Sequence, residues 1–356
     1  MNPLTDQIIL RQPDDWHLHL RDGEILDALV GYTARVFGRA IVMPNLSPPV
    51  TSIDAAKKYR QRIMKAVPLG ASFTPLMTVY LTDHLSSEVL ENGFKEGVFF
   101  AAKLYPLNST TNSFEGVSDI RIIDSLLETM ERIDMPLLIH GEVTDPCVDI
   151  FDREEAFIER HLEPLLKRFP GLRVVLEHIT TLQAVEFIEK SASKSKLAAT
   201  ITPHHLHLNR NAMFLGGLRS DFYCLPVVKR EIHRMALRRA ATSGKSCFFI
   251  GTDSAPHLRS DKESACACAG IFNAPYAIES YAEVFEEENA LELLEAFSSE
   301  YGPKFYGLPL NTNLIKLIRQ KQVVPNFVEL GSSGSSKEPV VPFHAGETLH
   351  WSICEN

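Results

Sequence analysis

The chain has no apolar run approaching the ~20 residues needed to span a bilayer. Met1 to Trp16 carries Asp6, Asp14 and Asp15 and no apolar h-region, so no secretory signal is expected. Positive charge is in deficit: Lys+Arg 36 against Asp+Glu 45 gives a net charge of −9. Nucleic-acid binders usually carry the opposite sign, so neither nucleic acid nor membrane is expected as a partner. Cysteine is sparse, at Cys147, Cys224, Cys247, Cys266, Cys268 and Cys354. In a chain without a signal these read as reduced thiols, and a cytoplasmic location is expected. Cys266 and Cys268 form a CxC, but no second pair nearby completes a zinc ribbon. No glycine-rich phosphate turn follows any candidate strand, which weakens a nucleotide-binding open sheet.

What is present is an ordinary soluble composition, 45% hydrophobic and 23% charged. A chain this long buries roughly 75% of its unfolded surface and folds without staples. Short apolar runs alternate with helical patterns, the signature of βα units. Candidate strands are Trp16–Leu20, Arg39–Met43, Phe73–Leu81, Val98–Leu104, Pro136–His140, Arg173–Glu177, Leu197–Thr202 and Cys247–Gly251. Ile123, Leu126, Leu127, Met130 and Ile133 have helical spacing, with Ser118 or Asp119 as cap. Asp152 opens another helix, kinked at Pro164 and stopped by Pro170–Gly171.

Eight such strands fit a (β/α)8 TIM-type barrel, typically ~250 residues. A doubly wound open sheet is the runner-up. The expectation is a single catalytic domain over residues 1–356. Its barrel core covers about 14–310 and a C-terminal extension about 311–356. Gly331–Ser336 (GSSGSS) reads as a linker or loop tip. Val340–Ile353 is expected to add one or two strands, pairing with Gln7–Leu10. The basic stretch Lys229–Arg239 and the acidic run Glu286–Glu288 read as solvated faces.

The polar residues fall at strand ends: His17 and His19, Asn45, Lys103, His140, His178 and Asp253. In a barrel these ends converge on one mouth, where active sites sit. A lone buried histidine is more often a satisfied core residue than a ligand. Apart from Asn45, metal-capable groups at corresponding positions of five strands are hard to obtain from packing. In His17-Leu18-His19 the imidazoles are two apart, so both face one interior, as a chelate requires. Lys103 follows an apolar run; its amine, if neutral, can add CO2 and become an anionic two-oxygen bridge. Two metals ~3.5–4 Å apart use such a bridge. Asp253 can ligate a metal and take a proton from water.

These stretches together are similar to the dihydroorotases of the short bacterial-type class, in the amidohydrolase superfamily. The matching segments are Asp14–Arg21 (DDWHLHLR), Met43–Leu46 (MPNL), Ala102–Asn112 (AKLYPLNSTTN), Ile139–Val143 (IHGEV), Glu177–Thr180 (EHIT), Gly251–His257 (GTDSAPH) and Ala269–Pro275 (AGIFNAP). The resemblance implies a binuclear centre of two zinc ions per chain. His17, His19 and Asp253 would hold one ion, His140 and His178 the other, with carboxylated Lys103 and a hydroxide between them. It implies the reversible cyclisation of N-carbamoyl-L-aspartate to L-dihydroorotate in pyrimidine biosynthesis. Asp253 would shuttle the proton. Arg21, Asn45 and His257 would bind the substrate carboxylate, and backbone groups of Leu225 and Ala269 the ring amide. Thr110 and Thr111 would sit at the tip of a lid loop, Tyr105–Asp119. A homodimer is implied as well.

His204, His205 and His207 are not ligands by this resemblance and read as outer or surface residues. Another binuclear enzyme, such as a hydantoinase or lactonase, is the alternative. Hydantoinases usually carry a sandwich domain built partly from a longer N-terminal segment. A single-metal deaminase would not need Lys103, and a non-catalytic scaffold would have lost ligands that are all present.

Overall fold

A computed structural model describes residues 6–330 and 338–354; the Gly331–Ser336 stretch lies outside them. Strand β1 (Gln7–Arg11) precedes eight parallel strands in sequential order. These are β2 (Asp14–Leu18), β3 (Arg39–Val42), β4 (Thr74–Tyr80), β5 (Ala101–Leu104), β6 (Leu137–His140), β7 (Val174–Glu177), β8 (Leu197–Ile201) and β9 (Phe248–Ile250). All eight expected strands are present. The first starts two residues early and ends at Leu18, so His19 lies just past it. The strands are short apolar runs because both faces are buried, one inside the barrel and one under the helices.

Closure comes just beyond β9. Asp253 N donates to His17 O at 2.9 Å, and His19 N donates to Ser254 O at 3.0 Å. The buried Asp15 carboxylate adds to the seam, accepting from Thr252 N at 2.8 Å and Thr252 Oγ1 at 2.6 Å. The fold is therefore a TIM-type barrel whose seam is tied by residues adjoining candidate ligands. Toward the other end Trp16 stacks on Tyr306, ring centroids 4.6 Å apart. A Cβ at Gly302 would lie 1.9 Å from Trp16 Nε1, so only glycine lets that helix approach the indole.

Helix Asp124–Ile133 is preceded by a 3-10 turn, Ile120–Ile123, capped by Asp119. Ser118 instead donates to Asp83 at 2.6 Å. The helix begun at Asp152 passes through a π turn, Ile158–Leu162, before Pro164. The wider turn relieves the carbonyl clash that proline imposes.

The terminal strands differ from expectation. β10 (Leu314–Val323) pairs with β1 on one side and with β13 (Thr348–Ile353) on the other. β13 therefore does not pair with β1. The short strands β11 (Val328–Glu329) and β12 (Pro339–Val340) pair separately. Leu10, Leu317 and Trp351 join the hydrophobic core of the barrel.

The charged runs are also not simply solvated faces. Lys229 is buried and donates to Val227 O at 2.8 Å. Arg238, 5% exposed, contacts Glu287 and Glu288 at 2.6 Å each. Glu286 accepts from Trp351 Nε1 at 3.1 Å and pairs with Arg319. These charges tie helices and the terminal sheet together. Among the described residues, no helix is long and apolar enough to cross a membrane.

Candidate metal centre

The C-terminal ends of the barrel strands bring the expected groups to one buried place. His17 Nε2 and His19 Nε2 lie 3.2 Å apart. Asp253 Oδ1 lies 3.2 Å from the first and 3.1 Å from the second. A tetrahedral zinc with ligands at ~2.0–2.1 Å sets its ligand atoms ~3.3 Å from one another. The triangle therefore has the dimensions of one face of such a site. His178, His17 and Asp253 also form a group whose ligand atoms all fall within 4.8 Å. The His178 ring centroid is 4.9 Å from those of His17 and His140. His178 Nδ1 is buried without a hydrogen-bond partner, an arrangement that a ligand position explains.

Two of these residues and the neighbouring Arg21 sit on unusual backbone. Arg21 (φ 58), His178 (φ 41) and Asp253 (φ 45) adopt positive φ without being glycine. Such conformations cluster where geometry is imposed by function.

Lys103 is fully buried, its Nζ lacks a hydrogen bond, and it lies against Glu177. The Tyr105 ring centroid is 4.8 Å from Nζ. Burial pushes the ammonium well below its ordinary range, with Asp253 opposing. A neutral amine here is the form that reacts with CO2. His17, His140 and His178 are held neutral by burial, and His19 is lowered to about 4 for the same reason. Neutral imidazoles are ligand-competent. Burial raises the Asp253 carboxyl, while its contacts with His17, His19 and His178 lower it, and the net direction is well below the ordinary carboxylate range. The donor set of neutral histidines, a carboxylate and a reactive lysine fits a binuclear metal centre.

Beside this cluster, Asn45 Oδ1 lies 2.8 Å from His19 Nδ1 and Asn45 Nδ2 donates to Thr111 O at 3.2 Å. Arg21 donates through Nη2 to His257 Nε2 at 2.8 Å and through Nε to Pro256 O at 3.0 Å. Thr111 Oγ1 reaches Ala269 O at 3.4 Å. Arg21, Asn45, Thr110, Thr111, Leu225 and Ala269 share one cavity with the histidines and Asp253. Lys103 and His257 are off its wall, and His257 connects through Arg21. The loop carrying Thr110 and Thr111 is closed down, leaving a cavity of about 20 Å³.

His204 and His205 are buried rather than on the surface. With Cys224 they form a second compact group. His205 spends both ring nitrogens on Thr202 Oγ1 (2.7 Å) and Pro226 O (3.0 Å), while His204 Nδ1 meets Asn273 Nδ2 at 2.9 Å and its Nε2 is buried without a hydrogen-bond partner. His207 Nε2 donates to Ser280 O at 3.0 Å.

Several carboxylates around the site escaped the sequence reading. Glu177 Oε1 is 2.9 Å from His17 Nδ1, and Glu142 Oε2 is 2.8 Å from His140 Nε2. Glu154, buried, accepts from the backbone N–H and hydroxyl of both Thr180 and Thr181, at 2.5–3.0 Å. It thereby fixes the turn after His178. The signal was available: Glu177 and Glu142 each lie within two residues of a candidate ligand.

Comparison with known proteins places this geometry. The pattern of the amidohydrolase family matches residues 13–318. A dihydroorotase of Synechococcus sp. (strain CC9605) is 65% identical over 350 residues, covering 98% of this chain and 97% of the relative. A crystal structure of dihydroorotase from Saccharomyces cerevisiae, in complex with 5-fluoroorotic acid, superposes with a TM-score of 0.90 at 33% identity. The match covers 98% of this chain and 99% of that one. An L-hydantoinase from Arthrobacter aurescens shares the fold at a TM-score of 0.78 but only 14% identity, over 97% of this chain and 83% of its own. The chain belongs to the amidohydrolase family and, within it, to the dihydroorotases.

Proposed function

We propose that this dihydroorotase interconverts N-carbamoyl-L-aspartate and L-dihydroorotate through a binuclear zinc centre at the barrel mouth. The observation that carries this reading is the convergence of His17 Nε2, His19 Nε2 and Asp253 Oδ1 within 3.1–3.2 Å of one another. His17, His19 and Asp253 would hold one ion and His140 and His178 the other, with the carbamate of Lys103 as a further ligand. Bound zinc supplies Lewis acidity, polarising the ring carbonyl and lowering the pKa of water.

The chain's own groups do the rest. Asp253 accepts the proton of the attacking water at its carboxylate and delivers it to the departing ring nitrogen. In the cyclisation direction it takes the proton from the ureido nitrogen. Arg21 grips the non-reacting carboxylate by a charged, planar contact, with Asn45 and His257 beside it. Backbone groups of Leu225 and Ala269 orient the ring amide. The loop over residues 105–119 lifts to admit the ring, since a cavity of about 20 Å³ holds roughly one water. It then closes and excludes solvent. We place the enzyme in the cytoplasm as a homodimer of single-domain chains, each with a C-terminal extension carrying the terminal sheet.

The test is direct. Purified protein is assayed for carbamoyl-aspartate cyclisation and its metal content measured. Turnover with two zinc ions per chain supports the reading. Turnover of hydantoins but not of dihydroorotate would contradict it.

A further inference from the structure

Lys262 lies outside the metal centre, yet it is one of the few buried lysines, 5% exposed. It ends a short helix, Arg259–Lys262, on the chain that leaves the barrel mouth. Its ammonium donates to Tyr223 O at 2.7 Å, Cys268 O at 3.0 Å and Gly270 O at 2.7 Å. An ammonium has three donors, and all three are used on backbone carbonyls.

The choice of carbonyls is informative. Tyr223 is two residues before Leu225. Cys268 and Gly270 flank Ala269. The Cys268 carbonyl and the Ala269 N–H belong to one trans peptide group, so they point in opposite directions. Holding the carbonyl against Lys262 turns the Ala269 N–H away from it. The same bond polarises the peptide and strengthens that N–H as a donor. Gly270 N donates to Tyr223 O at 3.0 Å, so the two segments are tied to each other as well as to the lysine. Gly270 has φ 152, and a Cβ there would lie 2.6 Å from Ala255 O. Only glycine fits at that bend, and Lys262 holds the carbonyls on either side of Ala269. Leu225, Ala269 and Gly270 all face the cavity beside Arg21.

We propose that Lys262 is a positioning residue for the substrate: its ammonium clamps three carbonyls and so aims the Leu225 and Ala269 backbone groups at the ring amide. The inference rests on the reading that these two backbone segments contact the substrate. Burial lowers the ammonium to about 8, with Cys224, Asp221 and Cys268 opposing the shift and Arg21 adding to it. The Tyr223 ring also faces it, 5.8 Å from Nζ to centroid. The clamp is therefore cationic at neutral pH and loses its charge as pH rises through about 8.

The experiment uses the metal-loaded full chain. Lys262→Met removes the donors and leaves the volume. KM for dihydroorotate is expected to rise roughly ten- to a hundredfold, the range for a lost charged hydrogen bond, with kcat changed far less. Metal content stays at the wild-type level. Amide exchange, read without substrate, should accelerate at residues 223–225 and 268–270 and not in the barrel strands. Unchanged exchange and unchanged KM would overturn the proposal. Faster local exchange with unchanged KM would show a clamp whose backbone does not contact substrate; the reading of Leu225 and Ala269 then fails, and the proposal with it. If Lys262→Met does not fold, the wild-type pH profile decides. KM should climb as pH passes about 8, and Lys262→Arg, which stays charged, should flatten that climb. A flat wild-type profile would overturn the proposal.

Discussion

Oε1 of Glu177 lies 2.9 Å from Nδ1 of His17, with both side chains buried. The pair does not meet hydrogen-bond geometry, since His17 Nδ1 and both Glu177 oxygens are buried without a hydrogen-bond partner, but it sets a carboxylate behind the ring, the placement that favours a proton on Nδ1 and leaves Nε2 for a metal. Glu142 does the converse for His140, whose Nε2 it meets at 2.8 Å, leaving Nδ1 toward the centre. Two carboxylates thus lie behind opposite nitrogens of two candidate ligands, and only the Glu142 contact is a hydrogen bond. Glu177→Ala should lower metal affinity about 10- to 100-fold, the usual effect of losing a carboxylate behind a ligating histidine. Competition with a chromophoric chelator measures this. Unchanged affinity in folded Glu177→Ala would remove Glu177 from the metal site.

Lys103 Nζ is buried without a hydrogen bond, and among the described residues its one charged contact is Glu177. Lys103→Ala should lose the bridge and nearly all turnover while the barrel persists. Metal analysis and intact mass make the check. One tightly bound ion in fully active wild-type protein, or an unmodified Lys103 in such protein, would contradict a bridging carbamate.

Asp253→Asn keeps the shape of the side chain and removes its capacity to take a proton. Loss of general acid–base action is worth about 10²–10⁴ in rate, and weakened ligation adds to it. Steady-state kinetics on protein of verified metal content provides the measurement. Near-native turnover with both metals bound would exclude Asp253 as the proton carrier.

Arg21 reaches the cavity from just beyond β2 and is oriented by Pro256 O and His257. Arg21→Met should leave the metals bound and cut kcat/KM for dihydroorotate roughly 30- to several-thousand-fold. The loss should be much smaller for dihydrouracil, the ring without the carboxylate, wherever that ring is hydrolysed. An unchanged ratio of the two rates would show that Arg21 does not read the carboxylate.

The barrel was legible in the sequence because its strands are buried on both faces and read as short apolar runs such as Leu137–His140. The candidate metal ligands were legible for a related reason: His140 and His178 interrupt or follow apolar runs where packing has no use for them. Strand β10 was not legible. Leu314–Val323 mixes Lys316, Arg319, Gln320 and Lys321 with apolar residues, because much of that sheet is exposed. The charged runs misled because charge alone does not name a partner; Arg238 is buried only because Glu287 and Glu288 come to it from a distant helix. Glu154 looks like an ordinary surface carboxylate until the fold closes over it. The positive φ of Arg21, His178 and Asp253 leaves no trace in residue type, since none is glycine.

The most direct test is the rate of dihydroorotate formation from N-carbamoyl-L-aspartate, measured on zinc-loaded protein, after chelation, and after zinc is restored. The account predicts turnover with two zinc ions per chain, its loss on chelation and its recovery on reloading. Protein that holds two zinc ions and does not interconvert the pair, or that does so undiminished after full chelation, would contradict it.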